Sequence, residues 1–246
     1  MTKKIAFLIL LVLFFPLNQL CSFGNNDATE IKNKTAEHPV SVYINNISTL
    51  SSEALRYALT GYATLLNEGK ILKRDIITIV DFSKPSTEER LFVINLRTRE
   101  VLMKSLCAHG RNSGENWAKK FSNTVESYKS SLGFYIASET YSGAHGYSLR
   151  LDGQEKGIND NARERGVVMH AATYVSKAFI NATGRLGRSE GCPALPTDQY
   201  EKIINLIKGG TCLFIYHPDV YYTAHSSILK TLNEDCIAEM LNSTQQ

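Results

Sequence analysis

Between Asp75 and Tyr216 the sequence is a succession of short β-branched and apolar runs separated by polar turns. Asp75–Phe82 (DIITIVDF), Gly133–Ala137 (GFYIA), Tyr147–Leu151 (YSLRL), Gly166–His170 (GVVMH) and Thr211–Tyr216 (TCLFIY) each read as a strand. Arg90–Leu96 and Val101–Ala108 flank Arg97-Thr98-Arg99-Glu100 as a hairpin. Such residues suit a pleated surface, and runs this short do not make packing helices. Helical signals lie around them. Ser51 or Ser52 caps a helix whose Leu55, Leu59, Tyr62, Leu65 and Leu66 recur at helical spacing, with Gly69 as its stop. A second runs from a Thr197 cap to Lys208, ended by Gly209-Gly210, and a third covers Ser226–Leu241. No internal repeat appears. The pattern predicts a mostly β (α+β) domain over residues 49–241, with helices on its periphery.

The N-terminus bears on compartment. Lys3 and Lys4 precede an apolar run of eleven residues, Ile5–Phe15, then Pro16 and a polar stretch with small Ser22 and Gly24. That is the layout of a secretory signal peptide over residues 1–24, which predicts export to the periplasm or cell envelope. Cys21 is the alternative, a lipid-anchor site, although Asn18-Gln19-Leu20 lack the small side chain expected before it. The membrane is therefore a partner only through the signal or that lipid. Residues 25–48 are polar and aperiodic and read as a tether. Removing residues 1–24 takes away two lysines and no acid, so the formal charge of +3 falls to +1. The remaining basic blocks are no longer than Lys119-Lys120, too sparse to track a phosphate backbone, so nucleic acid is excluded as a partner. Cys107, Cys192, Cys212 and Cys236 stay, too few for a disulfide scaffold. A Cys107–Cys212 bridge is one pairing without a spacing argument behind it. There is no CxxC, HxxxH or HExxH, so no metal and no cofactor are expected.

One cysteine is out of place for a core. Cys192 sits in Gly187–Pro196 (GRSEGCPALP), with glycine before it, proline after it and small or charged neighbours. A thiol is a useful nucleophile only as thiolate, so a base or positive charge must lie near. Of the six histidines, His38 is in the tether, His217 precedes a proline and His225 is in a polar loop. His170 ends an apolar strand, a rigid platform for aiming an imidazole. His109, after the strand containing Cys107, is a weaker candidate, and Trp117 reads as a core or hinge anchor.

The ordered set His170-x21-Cys192, with the cysteine inside Ser189-Glu190-Gly191-Cys192, resembles the L,D-transpeptidase (YkuD-like) family, in particular its murein L,D-transpeptidase catalytic domain branch. SLGFYIASETYSGAHGYSLRLDG (Ser131–Gly153) is similar to that branch's central region. GINDNARERGVVMHAATYV and GRSEGCPAL are similar to its catalytic end. The resemblance covers Leu50 to His217. It implies a β-rich catalytic domain acting on peptidoglycan stem tetrapeptides. Cys192 attacks between residues three and four, D-Ala leaves, and a second stem takes the thioester to give a 3→3 cross-link.

Physical sense follows for each part. Gly191 lets its backbone approach substrate and is expected as a backbone oxyanion donor with Cys192. His170 holds the thiolate and later protonates the leaving amine. The resemblance implies that a backbone carbonyl orients the imidazole. His145, Gly146 and Tyr147 are expected at the cleft, the His145-Gly146 pair as substrate contact or structural turn, and Tyr141 as a possible groove residue. Arg188 is expected to meet a substrate carboxylate, and Ser189 to bond the loop backbone or contact substrate. Three departures stand out: Glu190 where the commoner loop has histidine, Ala194 where Arg or Asn is common, and Ala171 where glycine is common. They leave open an L,D-carboxypeptidase on the same bond, or a catalytically inactive wall-binding domain of the same fold. A sortase would need Thr-x-Thr-Cys and a later arginine, and no arginine follows Cys192. Papain-type and NlpC/P60-type hydrolases have the cysteine before the histidine. Nothing in the sequence sets the oligomeric state.

Overall fold

The computed structural model describes residue 47 and residues 49–231. Residues 1–24, expected to be a signal peptide, with Cys21 among them, most of the expected tether and Cys236 therefore lie outside the described residues. Ile47, at the tether's end, is already buried in the main core.

Helix α1 (Ser52–Asn67) forms as its spacing predicts. The Ser51 hydroxyl accepts the Ala54 N–H at 3.3 Å, satisfying one of the four amides a helix start leaves free. Its inner face buries Leu55, Leu59, Tyr62 and Leu65. Gly61 is required by contact: a Cβ there would sit 2.0 Å from the tip of the Phe134 ring.

Eight strands follow in one sheet: β1 (Ile76–Asp81), β2 (Leu91–Asn95), β3 (Glu100–Ser105), β4 (Gly133–Gly143), β5 (Gly146–Gly153), β6 (Val168–Ala171), β7 (Ala194–Leu195) and β8 (Thr211–Tyr216). Their order is β3-β2-β1-β8-β4-β5-β6-β7. β1 and β8 are parallel neighbours near the middle and are buried throughout, which is why both read as unbroken apolar runs. The outer strands also meet. Beyond β3, the Ala108 N–H donates to the Ala194 carbonyl of β7 at 2.9 Å, and Gly110 bridges Ser189. The sheet is thereby closed, and the closure falls at the segment that carries Cys192. Leu106, Ala108, Val175, Leu186 and Ala194 form a second small core there.

Several boundaries differ from expectation. β4 runs on to Gly143 because a bulge between Ala137 and Thr140 lets the pairing with β5 resume after one extra residue. β6 begins only at Val168, since Gly166 is held in a turn at φ +64°. Helix α2 (Lys177–Thr183) has no buried residue, so no apolar stripe announced it. Helix α3 (Tyr200–Ile207) starts three residues beyond Thr197; the Pro196 carbonyl takes the Gln199 and Tyr200 amides, and no side chain caps the helix. A helix from Ser226 is not formed. Instead α4 (Val220–His225), capped by Asp219, ends there, a 3-10 turn covers Leu229–Thr231, and residues 232–241 lie outside the described residues. Cys107 and Cys212 are free, buried thiols, not a bridge.

Candidate active site

Strands β6 and β7 run parallel, with His170 opposite Ala194. That register sets the His170 strand beside the turn that ends in Cys192, two residues before Ala194. His170 is buried, and its Nδ1 lies 2.9 Å from the Ala171 carbonyl. A carbonyl only accepts, so Nδ1 carries the hydrogen and Nε2 is left as the basic nitrogen. The expected carbonyl orienter is thus the next residue's own backbone, a partner no side-chain pattern could reveal. Burial lowers the His170 pKa, the Ala171 bond opposes this, and the nearby His145 lowers it further.

Cys192 is half-buried. Its sulfur accepts the Val168 N–H at 3.4 Å, and its thiol faces the Gly166 carbonyl at 3.7 Å, so the resting sulfur bonds to backbone and not to the imidazole. Burial pushes the thiol pKa up; the Val168 N–H and then Arg165 draw it down, and Glu190 pushes it up. Burial thus opposes charge on both groups, raising the thiol pKa and lowering that of the imidazole.

The loop is held from inside. The Ser189 hydroxyl donates to the Cys192 carbonyl at 2.6 Å and accepts the Gly191 N–H at 3.1 Å. These bonds fit the backbone-bonding role expected for Ser189, and they commit its hydroxyl hydrogen to the loop. They also correct the expectation for Gly191, whose N–H is spent on Ser189 and is not free for an oxyanion. The Cys192 amide, the other backbone N–H of the turn, lies against its own sulfur. Gly191 is glycine for another reason: φ is +128°, and a Cβ would meet the Lys129 carbonyl at 2.9 Å.

Other candidates divide clearly. His145, at the β4–β5 turn, stacks on His170 with ring centroids 4.4 Å apart, so it does reach the site. Gly146 beside it takes φ +72°, the structural-turn role. Tyr147 is committed elsewhere: its hydroxyl donates to Asn205 and accepts from Lys208, both on or beside α3. Tyr141 carries the Arg150 guanidinium on its ring at 4.4 Å. Arg188 is turned toward the 111–115 segment, where Nη1 lies within hydrogen-bond reach of the Arg111 and Gly114 carbonyls and of Glu115. The exposed cation at the loop is Arg111, which sequence reasoning missed; it pairs with Glu190 at 3.4 Å and lies over the Tyr128 ring. Ala194 is fully buried, so the position two beyond the thiol faces a core and takes no polar group here.

His109 is part of a buried network, not the site. Arg90 is fully buried; its Nη2 donates to His109 Nδ1 at 2.8 Å, and burial with Arg90 lowers the His109 pKa to about 3. Trp117 is exposed and anchors no core. His38 lies outside the described residues. Among the described residues, no group of three or more His, Cys, Asp or Glu is placed to hold a metal ion, and no helix is long and apolar enough to cross a membrane.

Against known proteins, residues 46–216 match the family described as L,D-transpeptidase catalytic domain. None of the curated proteins matches the chain. Solved structures similar to it include an L,D-transpeptidase from Mycobacterium smegmatis, 14% identical with a TM-score of 0.37, covering 58% of this chain and 59% of that one. L,D-transpeptidase 3 from Mycobacterium tuberculosis is 13% identical with a TM-score of 0.38, covering 58% and 61%. An L,D-transpeptidase from Stackebrandtia nassauensis is 13% identical with a TM-score of 0.37, covering 68% and 67%. The chain spans about three-fifths of the length of the first two. Because the family match covers residues 46–216, more than two-thirds of the chain and the span that holds His170 and Cys192, the chain belongs to the L,D-transpeptidase catalytic domain family.

Proposed function

We propose that this protein is an exported cysteine L,D-transpeptidase of the cell envelope whose substrates are peptidoglycan stem tetrapeptides. The observation that carries the reading is the β6–β7 pairing, which sets a half-buried thiol on a glycine turn beside a strand-borne imidazole with its Nδ1–H already fixed.

In the proposed reaction the Cys192 thiol turns from Gly166 toward His170 and gives its proton to Nε2. The sulfur bonds to the carbonyl carbon of stem residue three, and the carbonyl oxygen takes the negative charge near the Cys192 amide. The C–N bond to D-Ala then breaks as the imidazolium returns its proton to the leaving nitrogen. An amine of a second stem attacks the thioester, His170 takes its proton, and the thiolate leaves. A 3→3 cross-link remains. Burial favours this role for His170, because it disfavours the charged imidazolium and so leaves Nε2 able to accept a proton.

The test is incubation of residues 25–246, wild type and Cys192→Ala, with purified tetrapeptide muropeptides, followed by mass analysis. A dimer formed with loss of one D-Ala, absent from the variant, is the expected result. Tripeptide without dimer means that water takes the thioester and the protein is an L,D-carboxypeptidase. Unchanged substrate with folded protein overturns the reading in favour of a wall-binding domain.

A further inference from the structure

Arg165 stands at the end of the turn that precedes β6, and its guanidinium is held only by neutral oxygens. Nη1 donates to the Ser122 carbonyl at 2.8 Å and to the Ser131 hydroxyl; Nη2 donates to the Ser127 hydroxyl at 3.2 Å and to the Lys129 carbonyl at 2.5 Å. Among the described residues it has no carboxylate partner in these bonds. A half-buried cation without an acid is costly, because its lost hydration is not offset by an opposite charge.

Its surroundings indicate what the charge is for. A Cβ on Gly191 would lie 3.3 Å from Nη2, so the guanidinium packs directly against the residue preceding the nucleophile. The Lys129 carbonyl that Nη2 holds is the group that crowds Gly191 on the same side. The next residue in the chain, Gly166, offers the carbonyl on which the Cys192 thiol rests. The Ser130 hydroxyl, inside the segment Arg165 ties down, donates to the Gly191 carbonyl at 3.0 Å.

We propose that Arg165 is a positioning residue of the nucleophile: its guanidinium, fixed beneath the Gly191–Cys192 turn, supplies the permanent positive charge that stabilises the Cys192 thiolate once the thiol proton has passed to His170. The inference rests on Cys192 being the nucleophile and not on the identity of the substrate. Fixed beforehand by four oxygens, the cation needs no reorganisation when the sulfur becomes charged. The other groups facing the sulfur do not replace it. Glu190, on the same loop, is negative and turned to Arg111. Tyr174 has its hydroxyl pushed up to about 12 by burial and stays neutral. On β6, His170 is positive only while it holds the thiol proton, so its charge is not permanent, and His145 stacks on it. Tyr135, which faces Arg165 from β4, is buried and pushed up, so it is also neutral. The interaction is mutual, Arg165 lowering the thiol pKa while the thiolate raises that of Arg165.

The experiment is the pH dependence of Cys192 alkylation by iodoacetamide, in which the thiolate sulfur bonds to the methylene carbon and iodide leaves, followed on the Cys192 peptide by mass. Arg165→Gln raises the midpoint by about 1 pH unit, the lower end of the range for loss of a nearby opposite charge. Arg165→Lys, which keeps the charge but not the fork, recovers most of that shift. Ser127→Ala/Ser131→Ala, which loosens the guanidinium, raises the midpoint by less. Slower alkylation with an unmoved midpoint in the folded variants overturns the proposal, because a purely structural brace changes access and not charge. Should Arg165→Gln fail to fold, the double serine variant decides: a raised midpoint supports the proposal and an unmoved one overturns it. No wall peptide enters this assay, so its failure leaves the muropeptide result standing, and the reverse holds.

Discussion

Replacing Ser189 by alanine deletes one oxygen that serves the nucleophile loop twice, as donor to the Cys192 carbonyl at 2.6 Å and as acceptor from the Gly191 N–H at 3.1 Å. Each bond is worth about 1 kcal/mol net, and the larger cost comes from stranding the Gly191 amide in a buried site, so the expected loss is about 2–3 kcal/mol. Ser189 is only 5% exposed, which leaves little room for water to take the oxygen's place. In a domain of this size that loss lowers Tm by roughly 4–12 °C. The loop also loses its internal tie, and a displacement of about 1 Å at the sulfur costs on the order of 100-fold in rate. Thermal unfolding and single-turnover acylation of Ser189→Ala, with Ser189→Thr as the variant that keeps the hydroxyl, measure both effects. Wild-type stability together with faster acylation would refute the reasoning, because it would mean that freeing the Gly191 N–H creates an oxyanion donor.

Three further outcomes follow from the structure. Gly61→Ala drives a methyl into the Phe134 ring and should destabilise by about 1–3 kcal/mol in a denaturant titration, although alanine is ordinarily the better helix residue. His145→Ala removes a like charge from beside His170, so the His170 pKa rises and the acid limb of the kcat/KM profile moves to higher pH; an unmoved limb would mean the stack carries no charge coupling. Glu155 is buried and accepts the Phe134 N–H and the Tyr222 and Ser226 hydroxyls, and its carboxyl is raised above its ordinary value, chiefly by burial. The folded state therefore binds the extra proton: this contribution is complete below the unfolded carboxyl pKa and is lost as pH rises through the raised value. Stability of the wild type relative to Glu155→Gln should fall over that window, read from unfolding midpoints at several pH values.

The sequence by itself determined the elements whose signals are local. The capped period of α1 and the β-branched runs of β1, β2 and β8 are properties of neighbouring residues, and they appear where the pattern predicts them. Cys192 and His170 stood out as candidates because their order and spacing, with the cysteine in Ser189-Glu190-Gly191-Cys192, resemble those of a known family. What sequence could not supply are relations between distant segments and groups that side-chain identity does not encode. The Ala171 carbonyl that sets the His170 tautomer belongs to the backbone, so no residue type announces it. Arg188 and Arg111 look alike as letters, yet packing spends the first on the 111–115 segment and leaves the second exposed beside Glu190. Gly191 was legible as a glycine that matters, but only the close approach of Lys129 explains the requirement. Arg165 lies among several arginines, and its place beneath the nucleophile depends on four oxygens contributed by residues 34 to 43 positions away in the chain. Local periodicity and turn chemistry act over a few residues, whereas burial, charge pairing and the direction of a hydrogen bond are decided only when the sheet closes and brings those segments together.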